Sequence, residues 1–280
     1  MPPCWLSGTI GTLTVASITA QQPLVEGRFL AKADAMPAIP TWPPKSTPRL
    51  FVEQLLSERS EVHVGGGAAH YLSGVMRLKA GAPVKLFDDQ SGEYLATVTT
   101  VGKRNLMLTV ETKLRAREPV PDLWLCQALV KKDRLDWIAE KACELGVSRL
   151  VPILASRCIV DKVKDDRLRT QMIEAAEQCE RTALPEIAPL VRLDSLLRDW
   201  PKDRRLYFCD ERGGEKFGDV INAGPAAVLI GPEGGFTDEE NVAIRAHPDS
   251  VAVSLGPRIL RADTAAVAAI SVWMAMQGDW

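Results

Sequence analysis

Two glycine-proline segments near the C-terminus place the strongest constraint on how this chain can fold. The segment Gly-Pro-Glu-Gly-Gly-Phe at residues 231–236 directly follows the apolar run Ala226–Ile230, and Gly-Pro-Arg-Ile-Leu-Arg at residues 256–261 follows the apolar residues 251–255. Short apolar runs that end at Gly-Pro are typical of buried strands that end in sharp turns, and each turn here precedes a helical pattern. Parallel sheets bind ligands at the carboxyl ends of their strands, where glycine lets main-chain groups approach closely. The two segments therefore predict a small-molecule pocket built largely from backbone.

The same two segments resemble the paired motifs of a known family. Residues 229–236 (Leu-Ile-Gly-Pro-Glu-Gly-Gly-Phe) and 255–265 (Leu-Gly-Pro-Arg-Ile-Leu-Arg-Ala-Asp-Thr-Ala) resemble, in the same order, motifs of the bacterial small-subunit (16S) ribosomal RNA uridine-N3 methyltransferases of the SPOUT superfamily. The resemblance extends from about Pro48 to the C-terminus. One departure is Asp263, where Glu is commoner in the family; the charge is kept and the reach is shorter.

This resemblance implies an α/β fold with two domains. A C-terminal SPOUT trefoil-knot methyltransferase domain with a mostly parallel sheet is expected at residues 122–280, after a small PUA-like RNA-binding β-barrel at residues 48–117. Residues 1–47 are expected to be a disordered or misassigned N-terminal extension, because no Lys or Arg precedes Arg28 and five prolines lie between residues 36 and 48. The resemblance also implies a homodimer.

The pattern of apolar residues is consistent with this division. Short strands are predicted at residues 49–52, 61–64, 84–87, 94–101 and 106–111, with Gly-Gly-Gly at 65–67 as a turn and a short helix at 70–77. After the proline-rich linker at 118–121, strands at 123–130, 150–154, 206–209, 226–230 and 251–255 alternate with helices at 133–145, 165–182 and 264–277. Asp133 is predicted to cap the first of these helices, and Thr237 with Glu240 forms a capping box, which makes Asp238, Glu239 and Glu240 structural residues. The last helix is apolar around most of its circumference, so it belongs either to the core or to a subunit interface.

The composition excludes several other classes of protein. Lys+Arg number 34 and Asp+Glu 36, so RNA binding has to come from a local basic patch. The six cysteines show no Cys-x-x-Cys or paired Cys/His spacing, which favours reduced thiols over a disulfide framework and predicts no metal site. No apolar run is long enough to span a bilayer, and a cytoplasmic location is expected.

The resemblance implies S-adenosylmethionine as the cofactor, held mainly by main-chain groups of the two glycine-proline segments. The cofactor-binding residues expected on this basis are Leu229, Ile230, Gly231, Pro232, Glu233, Gly234, Gly235, Ser254, Leu255, Gly256, Ile259 and Leu260.

Methylation of a uracil N3 requires a particular kind of site, because N3 is a poor nucleophile while it is protonated. A cation that stabilises the uracil anion, a base that removes the proton, or both, are expected. Arg181 and Arg261 are the candidates for charge stabilisation and Glu177 is a candidate base, whereas Asp263 is expected to cap the last helix. The charged cluster at residues 177–181 also fits a solvated helix end, and this alternative stays open.

Basic residues on both sides of the linker are candidates for phosphate contacts, although a surface cation often only faces solvent. They are Arg49, Arg77, Lys131, Lys132, Arg134 and Arg157.

Three other functions compete with a uridine-N3 methyltransferase. A SPOUT enzyme that methylates a ribose 2′-hydroxyl is compatible with the same motifs, and so is a catalytically idle RNA-binding factor in ribosome assembly. A Rossmann-type dinucleotide enzyme is disfavoured, because Gly-x-Gly-x-x-Gly is absent after the first strand–helix turn of the C-terminal part.

Overall fold

The computed structural model describes residues 47–280, which form an antiparallel-rich sheet followed by an α/β unit. The prediction for residues 1–47 falls, except for Thr47, outside the described residues. Both sheets belong to one compact unit. Among residues 47–280, no helix is long and apolar enough to cross a membrane.

The N-terminal sheet has five strands in the order β1-β3-β4-β5-β2. Only β1 and β3 pair in parallel; the other pairings are antiparallel, and three register shifts between β4 and β5 curl the sheet into a half-barrel. The strands are β1 (Arg49–Phe51), β2 (Glu61–Gly65), β3 (Pro83–Phe87), β4 (Glu93–Val101) and β5 (Asn105–Arg115).

The glycine triplet differs from its prediction as a turn. Gly65 ends β2, and helix α1 (Gly66–His70) begins at the next residue and continues as a π-helical turn at Tyr71–Val75. The chain reverses at Gly66, whose φ of +60° is a conformation that glycine adopts without steric cost.

The C-terminal sheet has eight strands, and all its pairings are parallel. Its order is β11-β13-β10-β12-β6-β7-β8, with β9 also pairing with β7. The strands are β6 (Leu123–Ala128), β7 (Arg149–Leu154), β8 (Glu186–Ile187), β9 (Val191–Arg192), β10 (Arg205–Cys209), β11 (Glu215–Lys216), β12 (Ala226–Ile230) and β13 (Ser250–Ser254). The longer strands agree with the predictions to within two residues at each end, whereas the two-residue strands were not predicted because they carry no measurable periodicity.

Six helices cover this sheet, and the apolar sides of α2, α3 and α7 contribute to one hydrophobic core. They are α2 (Lys132–Glu144), α3 (Asp165–Cys179), α4 (Leu193–Arg198), α5 (Phe217–Val220), α6 (Asp238–Ala246) and α7 (Ala262–Gln277).

Helix ends test the predicted caps. The capping box at Thr237 and Glu240 is confirmed, since each side chain accepts a hydrogen bond from the other residue's backbone N–H. The prediction for Asp133 is wrong: Lys131 is the N-cap of α2, and the Asp133 side chain is fully solvent-exposed. Asp263 is also not a cap, because α7 begins after Arg261 and the Asp263 carboxylate accepts only from Thr264.

Candidate functional site

A two-lobed cleft lies where β10, β12 and β13 end. The first lobe, about 280 Å³, lies between the loops after β10 and β12; the second, about 260 Å³, lies between the loops after β10 and β13. Asp210, Glu211, Ile259 and Leu260 line both lobes. This convergence of three strand ends follows from the sheet order, in which β10 lies between β12 and β13.

Glycine is required where the loop after β12 closes the first lobe. Gly235 has a φ of +66°, and a Cβ on it would lie 2.6 Å from Oε1 of Glu211. At Gly231 a Cβ would lie 3.1 Å from the ring of Phe236. Gly234 differs, because a Cβ there would make an ordinary 3.4 Å contact with Arg157 and would not enter either lobe.

The loop after β12 is held in place by neighbouring side chains, of which Arg157 lies outside the cleft while Asn241 and Phe208 line it. Arg157 Nη1 donates to the carbonyl oxygens of Gly234 (3.0 Å) and Phe236 (3.2 Å), and Asn241 Nδ2 donates to the Phe236 carbonyl at 3.3 Å. The Phe236 ring packs edge-on against Phe208 of β10. The loop is thus fixed before any ligand arrives.

The charged groups around the cleft are mostly paired. Asp210, almost fully buried, accepts from Arg245 Nη2 at 2.6 Å and from the backbone N–H of Arg212 at 2.8 Å. Glu233 lies 3.4 Å from Arg134 Nη1. The nearest approach of Arg134 to Asp263 is 4.0 Å.

Most residues predicted to bind the cofactor line the cleft. Ile230, Gly231, Pro232, Glu233 and Gly235 line the first lobe, Ser254, Leu255 and Gly256 the second, and Ile259 and Leu260 both. Leu229 does not line either lobe: its side chain is buried in the core on the other side of β12. Gly234 does not line either lobe, as described above. A strand alternates its side chains between two faces, so a run of consecutive residues cannot all face one pocket.

The three predicted catalytic residues are not brought together within the chain. Arg261 is exposed and lines the first lobe. Arg181 is 94% buried, and its guanidinium donates to the carbonyls of Cys143 (2.6 Å) and Val147 (2.7 Å) at the end of α2. This position corrects its assignment to charge stabilisation, because those N–H groups are already used to cap helix α2.

Glu177 also lies outside the cleft, on the last turn of α3. Its carboxylate accepts a hydrogen bond from the backbone N–H of Phe51 at 3.0 Å. Burial raises the pKa of Glu177, opposed in part by that hydrogen bond and by Arg49. A raised pKa suits a base, but neither lobe of the cleft includes Glu177, so its role in proton removal is withdrawn.

The six cations predicted to contact RNA divide into three groups, of which the last is the buried Arg49. Arg77, Lys131 and Lys132 are exposed. Arg134 lines the first lobe, and Arg157 supports the loop from outside.

Arg49 is the clearest correction, because only 8% of it is exposed. Its guanidinium stacks 3.7 Å from the centre of the Phe87 ring and donates to Glu93, to the Ala176 carbonyl and, at 2.6 Å, to the Arg181 carbonyl. Every branch of the guanidinium is therefore engaged inside the protein, and none is left for a phosphate.

The residues that β10 brings to the cleft were not among those predicted from the sequence. Phe208, Cys209, Asp210 and Glu211 line the first lobe, together with Asn241 of α6. The available signal was the predicted strand at 206–209, because parallel strands bring their carboxyl ends to one edge of a sheet.

Residues 116–274 match a family described as RNA methyltransferase domain, and residues 64–111 match one described as RNA methyltransferase PUA domain. The parallel sheet with its cleft and the half-barrel before it thus place the chain in the class of RNA methyltransferases. No group of three or more His, Cys, Asp or Glu side chains in the described part of the chain is arranged to hold a metal ion.

Individual relatives identify one family within the class of RNA methyltransferases. The chain is 31% identical over 242 residues to ribosomal RNA small subunit methyltransferase E of Bacillus subtilis, covering 80% of this chain and 94% of the relative. It is 29% identical over 229 residues to the protein of the same name from Rickettsia conorii, covering 80% and 93%. The chain belongs to the ribosomal RNA small subunit methyltransferase E family, which confirms the resemblance carried by the two glycine-proline motifs.

Solved structures agree with this assignment. Ribosomal RNA small subunit methyltransferase E from Neisseria gonorrhoeae, bound to S-adenosyl methionine, superposes with a TM-score of 0.74 at 27% identity, covering 82% of this chain and 97% of that one. A Legionella pneumophila protein in complex with the bound cofactor SAM superposes with a TM-score of 0.76 at 30% identity, covering 84% and 99%.

Proposed function

We propose that this protein transfers a methyl group from S-adenosylmethionine to N3 of a uridine in small-subunit ribosomal RNA. The two-lobed cleft formed by both glycine-proline loops is the observation that carries the proposal. Membership of the family supports the rRNA substrate and the methyl transfer, and the relatives with bound S-adenosylmethionine support the cofactor. The choice of uridine N3 rests on the resemblance of the two motifs.

The cleft fits S-adenosylmethionine in size and in chemistry. Its adjoining lobes, about 280 and 260 Å³, together fall in the size range of small-molecule sites, roughly 300–1,000 Å³. The apolar side chains of Ile230, Ile259 and Leu260 suit an adenine ring, and the close approach of backbone at Gly235 leaves room that a Cβ would fill. When bound, the cofactor supplies an electrophilic methyl carbon on a sulfonium.

The residues of the chain act on the uracil by orientation and charge. As the N3–H proton passes to solvent water, negative charge spreads over N3, O2 and O4, and the lone pair on N3 becomes available to the methyl carbon. Arg261, exposed at the rim of the first lobe, is placed to stabilise this charge. Holding the base in line with the methyl carbon supplies much of the remaining acceleration.

RNA reaches the cleft across the surface that carries the exposed cations. Residues 48–117 form the proposed RNA-binding domain and residues 122–280 the methyltransferase domain, in agreement with the residues that each family matches. Lys131, Lys132 and Arg77 remain the proposed phosphate contacts. Replacing all three by Gln should weaken RNA binding and lower the slope of log K against log salt concentration by up to about 3, because each neutralised phosphate releases counterions. An unchanged slope would remove these residues from the interface.

The trefoil knot, the homodimer and the cytoplasmic location are further parts of the proposal. The family resemblance supports the knot, and the site of small-subunit assembly supports the location. Helix α7 supports a dimer, since apolar side chains on it remain partly or largely exposed: Ala265, Val267, Val272 and Met276. Light scattering after size-exclusion chromatography gives the mass in solution, and a monomer at micromolar concentration would contradict the dimer.

Two measurements test the proposed reaction. Mass spectrometry of nucleosides from small-subunit rRNA of a strain without the gene should lack N3-methyluridine, and the wild-type gene should restore it. Loss of a 2′-O-methylated nucleoside instead would favour the ribose methyltransferase. Calorimetric titration with S-adenosylmethionine tests the alternative function, a catalytically idle assembly factor, because a protein without a catalytic role need not bind the cofactor.

A further inference from the structure

Glu211 is a carboxylate of the cleft that has no partner among residues 47–280. It follows β10 and lines both lobes, as does Asp210. The other two carboxylates of the lining are paired, Asp210 with Arg245 and Glu233 with Arg134. Among residues 47–280, no hydrogen bond or ion pair is made by the Glu211 carboxylate. Its charge is therefore available to a ligand in the cleft.

The position of Glu211 is set by its neighbours. The preceding residue, Asp210, is anchored by Arg245 and by the backbone N–H of Arg212. Oε1 of Glu211 lies where a Cβ on Gly235 would be only 2.6 Å away, so the carboxylate lies against the backbone that closes the first lobe. The Glu211 side chain thus lies along the cleft wall, in space that a Cβ on residue 235 would partly occupy.

Four arginines also line the cleft, and none forms an ion pair with Glu211. Arg134 is paired with Glu233, and Arg212 is paired with Asp238 at 2.5 Å. Arg258 and Arg261 line the second and the first lobe without an ion pair among residues 47–280. The cleft therefore offers a carboxylate to a cationic group and guanidinium groups to an anionic one, which suits a ligand that carries both charges.

We infer that Glu211 binds a cationic group of S-adenosylmethionine. This inference rests on the proposed function. S-adenosylmethionine carries two positive groups, the sulfonium and the α-ammonium, whereas its demethylated product S-adenosylhomocysteine carries only the ammonium. A hydrogen bond from the ammonium to a carboxylate is charge-assisted and roughly twice as strong as a neutral one, whereas the sulfonium has no N–H donor and is attracted by charge alone.

Isothermal titration calorimetry with S-adenosylmethionine and S-adenosylhomocysteine tests this inference. Glu211→Gln, which keeps the shape of the side chain and removes its charge, should weaken S-adenosylmethionine binding about tenfold, the lower end expected for a charged hydrogen bond at an exposed site. Glu215→Gln is the matched control, because Glu215 is exposed on β11, four residues away, and lines neither lobe. It should bind as the wild type does.

The pattern across the two ligands identifies the contacted group. Weakening for S-adenosylmethionine alone places the sulfonium at Glu211, and equal weakening for both ligands places the ammonium there. In the wild type, added salt should weaken binding more than in Glu211→Gln, because only the wild type has this charge contact to screen.

An unaltered affinity of Glu211→Gln, with a wild type that binds S-adenosylmethionine, would overturn the inference and leave the proposed function standing. A wild type that binds neither compound would overturn the proposed function itself. Thermal melting of each variant, with an unchanged midpoint, shows that any loss arises in the cleft.

Discussion

Replacing Arg49 by Met tests whether the half-barrel is locked to the α/β unit. Arg49 joins Glu93 of β4 to two carbonyl oxygens at the end of α3, those of Ala176 and Arg181. Burial lowers the pKa of Arg49, and the neighbouring Glu93 carboxylate opposes this shift. The charged form of the guanidinium therefore depends on its partners. Removing it leaves two carbonyls without donors and a buried carboxylate with one partner, Arg115.

We expect Arg49→Met to lower the free energy of unfolding by about 3–4 kcal/mol, the usual cost of removing one member of a buried ion pair. Met keeps much of the apolar stem over the Phe87 ring, so the measured decrease in the free energy of unfolding reflects the loss of the polar contacts. Urea unfolding followed by circular dichroism measures it. Loss of coupling between the two parts should also lower the m-value or split the transition, because less surface is then exposed in one step.

The control is Arg198→Met, which removes an exposed arginine whose partner is the adjacent Asp199. It should leave the free energy of unfolding nearly unchanged, because an exposed ion pair contributes little. A double-mutant cycle with Glu93→Gln should give a coupling energy of about 1–3 kcal/mol between the two residues. If Arg49→Met lowers the free energy of unfolding no more than the control does, Arg49 does not join the half-barrel to the α/β unit. A phosphate contact then becomes the better explanation of this residue.

Three further predictions concern the cleft and the end of α3. Gly235→Ala should weaken S-adenosylmethionine binding at least about tenfold, because alanine is strained at a φ of +66° in a loop that lines the cleft, whereas Gly224→Ala, also at positive φ but outside the cleft, should affect stability alone by about 1 kcal/mol. Arg261→Met should lower kcat by about 100-fold and leave the calorimetric Kd for S-adenosylmethionine within about twofold; equal loss in both would assign Arg261 to cofactor binding. Glu177→Gln should be more stable than the wild type at neutral pH. The raised pKa of Glu177 means that the folded wild type loses stability as pH rises from the ordinary pKa of 4.5 through the folded value. The advantage should disappear in acid, and a less stable variant at pH 7 in urea titrations would contradict this account.

The sequence alone determined the features that depend on neighbouring residues. Gly-Pro after a short apolar run fixes a strand end, and Thr237 with Glu240 fixes a helix start, because these interactions span only a few residues. The strand ends in turn predicted the cleft, since parallel strands bring their carboxyl ends to one edge. The two glycine-proline motifs were also sufficient to identify the family.

Tertiary structure alone decided what each arginine does. Arg49, Arg181 and Arg261 look alike in the sequence, yet the first joins two parts of the fold, the second caps α2, and only the third reaches the cleft. Arg49 donates to a carbonyl 127 positions away and Arg181 to one 38 positions away, so no local pattern could reveal either contact. A guanidinium acts on whatever acceptors the folded chain brings within about 3 Å, and only the fold sets that distance.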